Sequence, residues 1–173
     1  RIVTAGDKTA KVWDAQTGTE LFTLKGHEGE VMSAGYSPNG RRIVTAGGLD
    51  HTAKVWDAKT GQELFTLKGH DSAVASAGYS ADGQRIVTGS TDETAKVWEA
   101  QTGTELLTLT GHGGYVVSAA YSPNGQRIVT ASRDYTAKVW EAQTSTELIT
   151  LRGHGGEVNS VAYSADGQRI VTA

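Results

Sequence analysis

One phrase recurs four times along this chain. Gly-His stands at Gly26-His27, Gly69-His70, Gly111-His112 and Gly153-His154, at intervals of 43, 42 and 42 residues. In fixed phase with it, Trp is followed by an acid at Trp13-Asp14, Trp56-Asp57, Trp98-Glu99 and Trp140-Glu141. A period of this size constrains the fold more than any local propensity does. One supersecondary unit is repeated, and each copy buries against its neighbours what it cannot bury alone.

Within one repeat, short β-branched and aromatic runs at 31–36, 42–46, 52–57 and 63–67 are separated by turn residues. Ser37-Pro38-Asn39-Gly40, Gly47-Gly48 and Thr60-Gly61 supply the dihedrals of tight turns. Four antiparallel strands per period follow. Turns arrive too often for helices, and no stretch holds apolar residues at helical spacing.

The first strand of every repeat is built from small residues: Ser33-Ala34-Gly35, Ser76-Ala77-Gly78, Ser118-Ala119-Ala120 and Ser160-Val161-Ala162. Tyr closes that strand, and Trp stands in the third. Sheets that converge on an axis leave least room at their innermost strand, so this taper suits a radial array better than a linear solenoid. The fold class expected is all-β, a radial array of four-stranded antiparallel sheets. The 173 residues form a single unit of four repeats, at approximately 1–41, 42–84, 85–126 and 127–168, plus a surplus strand at 169–173.

A net charge of −3 argues against a dedicated binder of phosphate backbones, so no nucleic-acid partner is expected. No apolar run reaches the roughly 18 residues of a spanning helix and no signal peptide opens the chain, so no membrane partner is expected either. The absence of Cys removes disulfides, zinc-thiolate sites and thiol chemistry together, and a cytoplasmic location is the expectation. The chain opens on Arg1, which reads as a processed product, a tag-cleaved chain or a segment of something longer.

These residues resemble the WD-repeat β-propeller family over the whole chain. The resemblance rests on four Gly-His and four Trp-acid pairs in phase, and on an Asp six residues before each Trp, at Asp7, Asp50, Asp92 and Asp134. It implies a buried hydrogen-bond network of His, Thr, Asp and Trp in each blade. The sets are His27, Thr45, Asp50 and Trp56; His70, Thr88, Asp92 and Trp98; and His112, Thr130, Asp134 and Trp140. The fourth is split between the chain ends, with His154 and Thr172 at one and Asp7 and Trp13 at the other. A His, an Asp and a hydroxyl also suggest a hydrolase triad, and evenly spaced His a metal site. An active site normally occurs once and breaks a repeat, so identical sets read as scaffold. No catalytic residue, cofactor or metal is expected, and the chain is not read as an enzyme.

Four blades are few for this family. Closure after four demands about 90° per blade against about 45° for eight. Two chains joined head to tail into an eight-bladed ring, a homodimer, would bury every open edge. Residues 1–5 and 169–173 are both Arg-Ile-Val-Thr-Ala, so closure must displace one copy or accommodate both.

The repeats differ mainly after Gly-His and around the turn Asp. These loops share one propeller face, which in the family binds peptides or proteins. Met32, His51, Glu93, Tyr115, Arg133 and Tyr135 are the candidate contacts, aromatics and Arg being the usual interface anchors. Neutral drift on an exposed surface accounts for the same variation. The recurring Lys, Arg and Glu read as exposed ion pairs on blade rims. The expected function is a self-assembling interaction scaffold that recruits a peptide or protein. The alternative is a truncated or engineered propeller piece whose main property is assembly.

Overall fold

The computed structural model describes all 173 residues and contains seventeen strands and no helix. They form five antiparallel sheets in chain order. The first sheet holds β1 (Ile2–Gly6), β2 (Thr9–Trp13) and β3 (Glu20–Lys25), and the second β4 (Val31–Tyr36), β5 (Arg42–Gly47), β6 (Thr52–Asp57) and β7 (Glu63–Lys68). The third holds β8 (Val74–Tyr79), β9 (Arg85–Ser90), β10 (Ala95–Glu99) and β11 (Glu105–Leu109). The fourth holds β12 (Val116–Tyr121), β13 (Arg127–Ser132), β14 (Ala137–Glu141) and β15 (Glu147–Leu151), and the fifth only β16 (Val161–Tyr163) and β17 (Ile170–Thr172). Three sheets are thus complete four-stranded blades, one lacks its first strand and one its last two.

Local chemistry fixes each hairpin. Between β4 and β5, the Ser37 hydroxyl donates to Asn39 while its oxygen accepts the Arg42 N–H at 2.9 Å, and Gly40 takes a φ of 67°. Between β6 and β7, the Asp57 carboxylate accepts the Lys59 and Thr60 N–H groups at 2.9 and 2.8 Å, and Gly61 takes a φ of 74°. A side chain that bonds its own backbone and a residue free to adopt positive φ are what such turns demand. The expected first strand of the last repeat, 158–163, shortens to Val161–Tyr163. The Asn159 and Ser160 N–H groups both converge on the Ala173 carbonyl, so the ladder runs out of partner residues there.

Successive sheets pack face to face through their first strands, β4 beside β8, β8 beside β12 and β12 beside β16. The Trp of each complete sheet enters the core of the sheet before it. Trp56 and Ala58 pack with Ala10, Val12, Leu24, Val31 and Ile43. Trp98 and Ala100 sit among Val44, Val55 and Leu67, and Trp140 and Ala142 among Val87, Val97 and Leu109. The cluster of the fourth sheet, Val129, Ala131, Ala137, Val139, Val158 and Val161, has no Trp.

Charged residues separate into two systems. Lys11–Glu20, Lys54–Glu63, Lys96–Glu105 and Lys138–Glu147 pair at 2.5, 3.0, 2.9 and 2.7 Å between the third and fourth strands of their sheets. The second-strand Arg residues, expected in the same rim pairs, do otherwise. Arg1 and Arg85 donate to the Ala58 and Ala142 carbonyls of the next sheet at 2.7 and 3.0 Å, and Arg42 donates to the Ala100 carbonyl. A guanidinium satisfying a backbone carbonyl across a sheet boundary is a link between blades rather than a solubilising charge.

The turn between β14 and β15 departs from its counterparts. Ser145 takes a φ of 58° where Gly18, Gly61 and Gly103 stand elsewhere. A Cβ on Gly61 or Gly103 would lie 2.9 Å from Phe22 or Phe65 of the preceding sheet. The matching residue ahead of Ser145 is the smaller Leu107. Space is therefore available, but left-handed backbone still costs about 1 kcal/mol in a non-Gly residue. Ser145→Gly is expected to raise stability by about 1 kcal/mol, read as a higher urea midpoint; an unchanged or lower midpoint would show that Ser145 is not strained.

Candidate functional site

Each complete sheet carries a continuous polar chain in an otherwise apolar interior. In the second sheet the Trp56 indole N–H donates to Thr45 Oγ1 at 2.8 Å, and Thr45 Oγ1 lies 2.7 Å from His27 Nε2. His27 Nδ1 lies 2.6 Å from Asp50 Oδ2. His70, Thr88, Asp92 and Trp98 repeat the arrangement at 2.7 to 2.9 Å, as do His112, Thr130, Asp134 and Trp140 at 2.7 to 2.8 Å. For a neutral imidazole, donor counting places the protons. The indole occupies a threonine lone pair, the threonine hydroxyl donates to Nε2, and the remaining imidazole proton sits on Nδ1 and donates to the carboxylate.

Burial holds the pKa values of His70 and His112 below the ordinary histidine range, against the opposing pull of Asp92 and Asp134. Burial works against ionising Asp134, yet bonds from Thr136, His112 and the Gly113 N–H outweigh it and draw its pKa down to about 2. Burial likewise opposes ionisation of Asp92, and Thr94 and His70 overcome it. The threonine oxygens, at most 1% exposed in residues Thr45, Thr88 and Thr130, already accept an indole proton. These hydroxyls face no solvent and are not placed to attack a substrate.

The fourth set is not assembled within the chain. His154 Nε2 lies 2.7 Å from Thr172 Oγ1, with both residues at the exposed C-terminal sheet. Trp13 donates instead to Thr4 of its own sheet at 2.8 Å. Asp7, at a φ of 43°, bonds Val31 through its backbone carbonyl and makes no bond to His154.

The first set, in the second sheet, differs in detail. Asp92 and Asp134 each accept a hydroxyl, from Thr94 and Thr136, at 2.7 and 2.6 Å, whereas Asp50 Oδ1 and Thr52 Oγ1 are buried without partners. Here the loop is one residue longer. Gly47 is obligatory in it, since a Cβ would fall 2.3 Å from both Asp50 Oδ1 and His27 Nδ1.

Around these networks the variable loops join at one end of the sheets. The second-to-third-strand turn is tied to the loop before the first strand by Gly48 N–H to Glu30 O, Thr91 N–H to Ala73 O and Arg133 N–H to Tyr115 O, at 2.9 to 3.0 Å. His51, Glu93 and Tyr135 sit at the turn apices with φ of 53°, 70° and 69°. Met32 is exposed on the bulge of β4. The Arg133 guanidinium lies 5.6 Å from the Tyr115 ring and 3.4 Å from Glu157 of the fifth sheet, and Tyr135 is exposed nearby. Leu49 at 75% exposure and Glu157 join this surface although neither stood among the candidates. The longer loop at Asp50 was the available signal for Leu49; the cross-sheet pairing of Glu157 had none.

The sheets, their stacking and the buried His–Asp and Trp–Thr bonds define a β-propeller type of repeat. The WD domain, G-beta repeat family matches residues 18–57, 61–99, 103–141 and 145–173, and the chain belongs to that family. Single-repeat segments resemble curated proteins. Ribosome assembly protein 4 of Chaetomium thermophilum is 49% identical over 39 residues, 22% of this chain and 8% of that protein. Coronin-7 of Mus musculus is 41% identical over 39 residues, 22% of this chain and 4% of its own length. Guanine nucleotide-binding protein G(I)/G(S)/G(T) subunit beta-1 of Homarus americanus is 41% identical over 49 residues, 28% of this chain and 14% of that protein. The chain thus spans a small part of the length of these relatives. WD-repeat proteins are in general non-enzymatic scaffolds that bind other proteins.

Two outcomes follow from the networks. Thr130→Val leaves His112 Nε2 and Trp140 Nε1 buried and unpaired and is expected to cost about 2–4 kcal/mol, measured by urea unfolding; a loss below about 1 kcal/mol would mean that the network carries little. The folded state also binds fewer protons than the unfolded one at His70 and His112 below about pH 6.5, and at Asp92 and Asp134 below about pH 4. Stability should be full above about pH 7, fall as pH drops through about 6.5, and fall again in the carboxylate range. Urea midpoints that stay level from pH 8 to pH 5 would contradict the neutral-histidine assignment.

Proposed function

We propose that this chain is a non-enzymatic interaction scaffold that joins a second copy of itself through its open ends and recruits a protein or peptide segment on its loop-bearing face. The observation that carries the reading is the complementary deficit of the two ends. The fourth sheet's core has no Trp, while Trp13 is left only half-buried at the other end. Arg127 makes no bond to a following sheet, and no Arg reaches the Ala15 carbonyl. Ile149 occupies the place of Phe22, Phe65 and Leu107 but is 46% exposed, and nothing lies within 4 Å of a Cβ on Gly18, its counterpart position. Each end holds what the other lacks, in the arrangement already made between neighbours among the first four sheets. Head-to-tail joining of two chains supplies eight blades, a number within the usual propeller range.

The proposed ligand surface centres on Tyr115, Arg133 and Tyr135, with Met32, Leu49, His51 and Glu93 around it. The terminal deficit also favours the second reading, a propeller piece whose main property is assembly, and binding distinguishes the two. Light scattering across a dilution series is expected to give twice the 18.2 kDa chain mass. A peptide library presented to the assembled protein is expected to yield saturable binders whose affinity falls at least about tenfold with Arg133→Ala or Tyr135→Ala. Chain-pair mass without any binder would leave assembly alone as the function; single-chain mass would remove the ring.

A further inference from the structure

Among the three complete sheets, only the second breaks the polar pattern. In the third and fourth, the Thr94 and Thr136 hydroxyls donate to Oδ1 of Asp92 and Asp134 at 2.7 and 2.6 Å, which closes each turn on itself. The Gly47-Gly48-Leu49 loop is one residue longer than Ser90-Thr91 or Ser132-Arg133. Beyond it, Asp50 Oδ1 and Thr52 Oγ1 are both buried and bond nothing. The Asp50 side chain is 10% exposed and Thr52 8%. Buried polar atoms are ordinarily paired, so two orphans side by side ask for a partner from outside the chain. A specific site is also expected to occur once, where a repeated scaffold fails to repeat.

Both residues line one cleft of about 410 Å³, and no apolar side chain lines it. Lys54 is already committed within it, bonding both Glu63 oxygens at 3.1 and 3.0 Å and the Thr66 hydroxyl at 3.0 Å. Glu28 and Lys68 line the same cleft, are exposed, and make no side-chain bond. Burial opposes the charge of Asp50, but the bond to His27 leads the interactions that outweigh it, and its pKa stays below the ordinary carboxylate range. Asp50 is therefore an anion with one oxygen held by His27 and the other free.

We propose that this cleft binds a primary ammonium group, the charged end of a lysine side chain or of a small amine. Such a group brings three N–H donors and no acceptor. The cleft offers acceptors in Asp50 Oδ1, Thr52 Oγ1 and the Glu28 carboxylate. With Lys54 and Glu63 paired, Asp50 and Glu28 stand against Lys68, and a single monocation balances the remaining negative charge. An anionic ligand would meet two carboxylates without a paired cation. A guanidinium binds best to a carboxylate with both oxygens free, and Asp50 Oδ2 is taken. Calcium takes about six to eight oxygens, more than these side chains supply, and the neighbouring lysines repel it. The site depends neither on chain pairing nor on the Tyr115 and Arg133 surface.

The repeat supplies its own controls. N-acetyl-lysine amide is titrated into the full chain near neutral pH, and the backbone N–H signals of Thr52, Thr94 and Thr136 are followed by NMR. Saturable shifts are expected at Thr52 alone, and N-acetyl-norleucine amide, which lacks the ammonium, is expected to cause none. Equal shifts at all three threonines, no saturable shift at Thr52, or equal binding of the norleucine probe would overturn the proposal; a cleft that holds only water gives the second of these. n-Butylammonium separates the sources. Equal affinity assigns a free amine, while a Kd at least about tenfold weaker than that of the lysine probe assigns a peptide lysine. Deleting Leu49 together with Gly47→Ser restores the shorter serine turn of the other sheets and is expected to weaken binding at least about tenfold. Thr52→Val, which keeps the loop length, is expected to weaken it by a similar factor. A retained Trp56 indole signal reports that each variant is folded, and unchanged affinity in either folded variant refutes the site.

Discussion

The indole of each complete sheet does two things at once, and the rest of the structure depends on it. Its N–H donates to the threonine of its own sheet, while its ring fills the core of the sheet before. Trp56, Trp98 and Trp140 are each 1% exposed, and burial of a ring this size is worth about 4–6 kcal/mol of transfer free energy. The polar chain orients the ring, and the ring's burial keeps water from competing for the polar chain. Order within a sheet and contact between sheets are therefore one cooperative event, the nearest-neighbour coupling that stacked repeats rely on. The Arg-to-carbonyl bonds act across the same boundaries.

Period and turn chemistry made the strands, their grouping and the recurrence of His, Thr, Asp and Trp legible in the sequence, because each is a local or strictly periodic feature. Three kinds of feature were not legible. The Arg bonds connect residues 57 or 58 positions apart, and the nearby Lys and Glu made an ion pair the simpler reading. Proton positions along the networks require knowing which oxygen the indole meets. The shortening of β16 follows from where its partner strand stops supplying carbonyls, which a matched pair of sequence runs does not disclose.

Departures from the repeat were also informative. Ser145 replaces a Gly only where Leu107 replaces a Phe, so a volume change on one sheet travels with a backbone change on the next. The inserted residue before Asp50 swaps a serine-stapled turn, as in Ser90 and Ser132, for Gly47-Gly48 and projects Leu49 into solvent. Both changes are intelligible only as pairs, since packing between neighbouring sheets is too tight for one side to vary alone.

The hairpin turns on the two faces of the stack treat backbone strain differently, which is one ground for proposing the loop face as a binding surface. On the opposite face, positive φ is assigned to glycine at Gly18, Gly40, Gly61, Gly83, Gly103, Gly125 and Gly167, with Ser145 the exception. On the loop face Gly26, Gly69, Gly111 and Gly153 take positive φ before the first strands, but the turns between second and third strands place it at Asp7, His51, Glu93 and Tyr135. Each of these costs on the order of 1 kcal/mol that glycine would not, and the last three differ from one another in charge and shape. A repeat shaped by stability alone would place glycine at these turns too, as it does at the turns of the opposite face. Strain retained where side chains diverge, beside the exposed Tyr115 and Arg133, supports a surface whose side chains matter more than its backbone comfort.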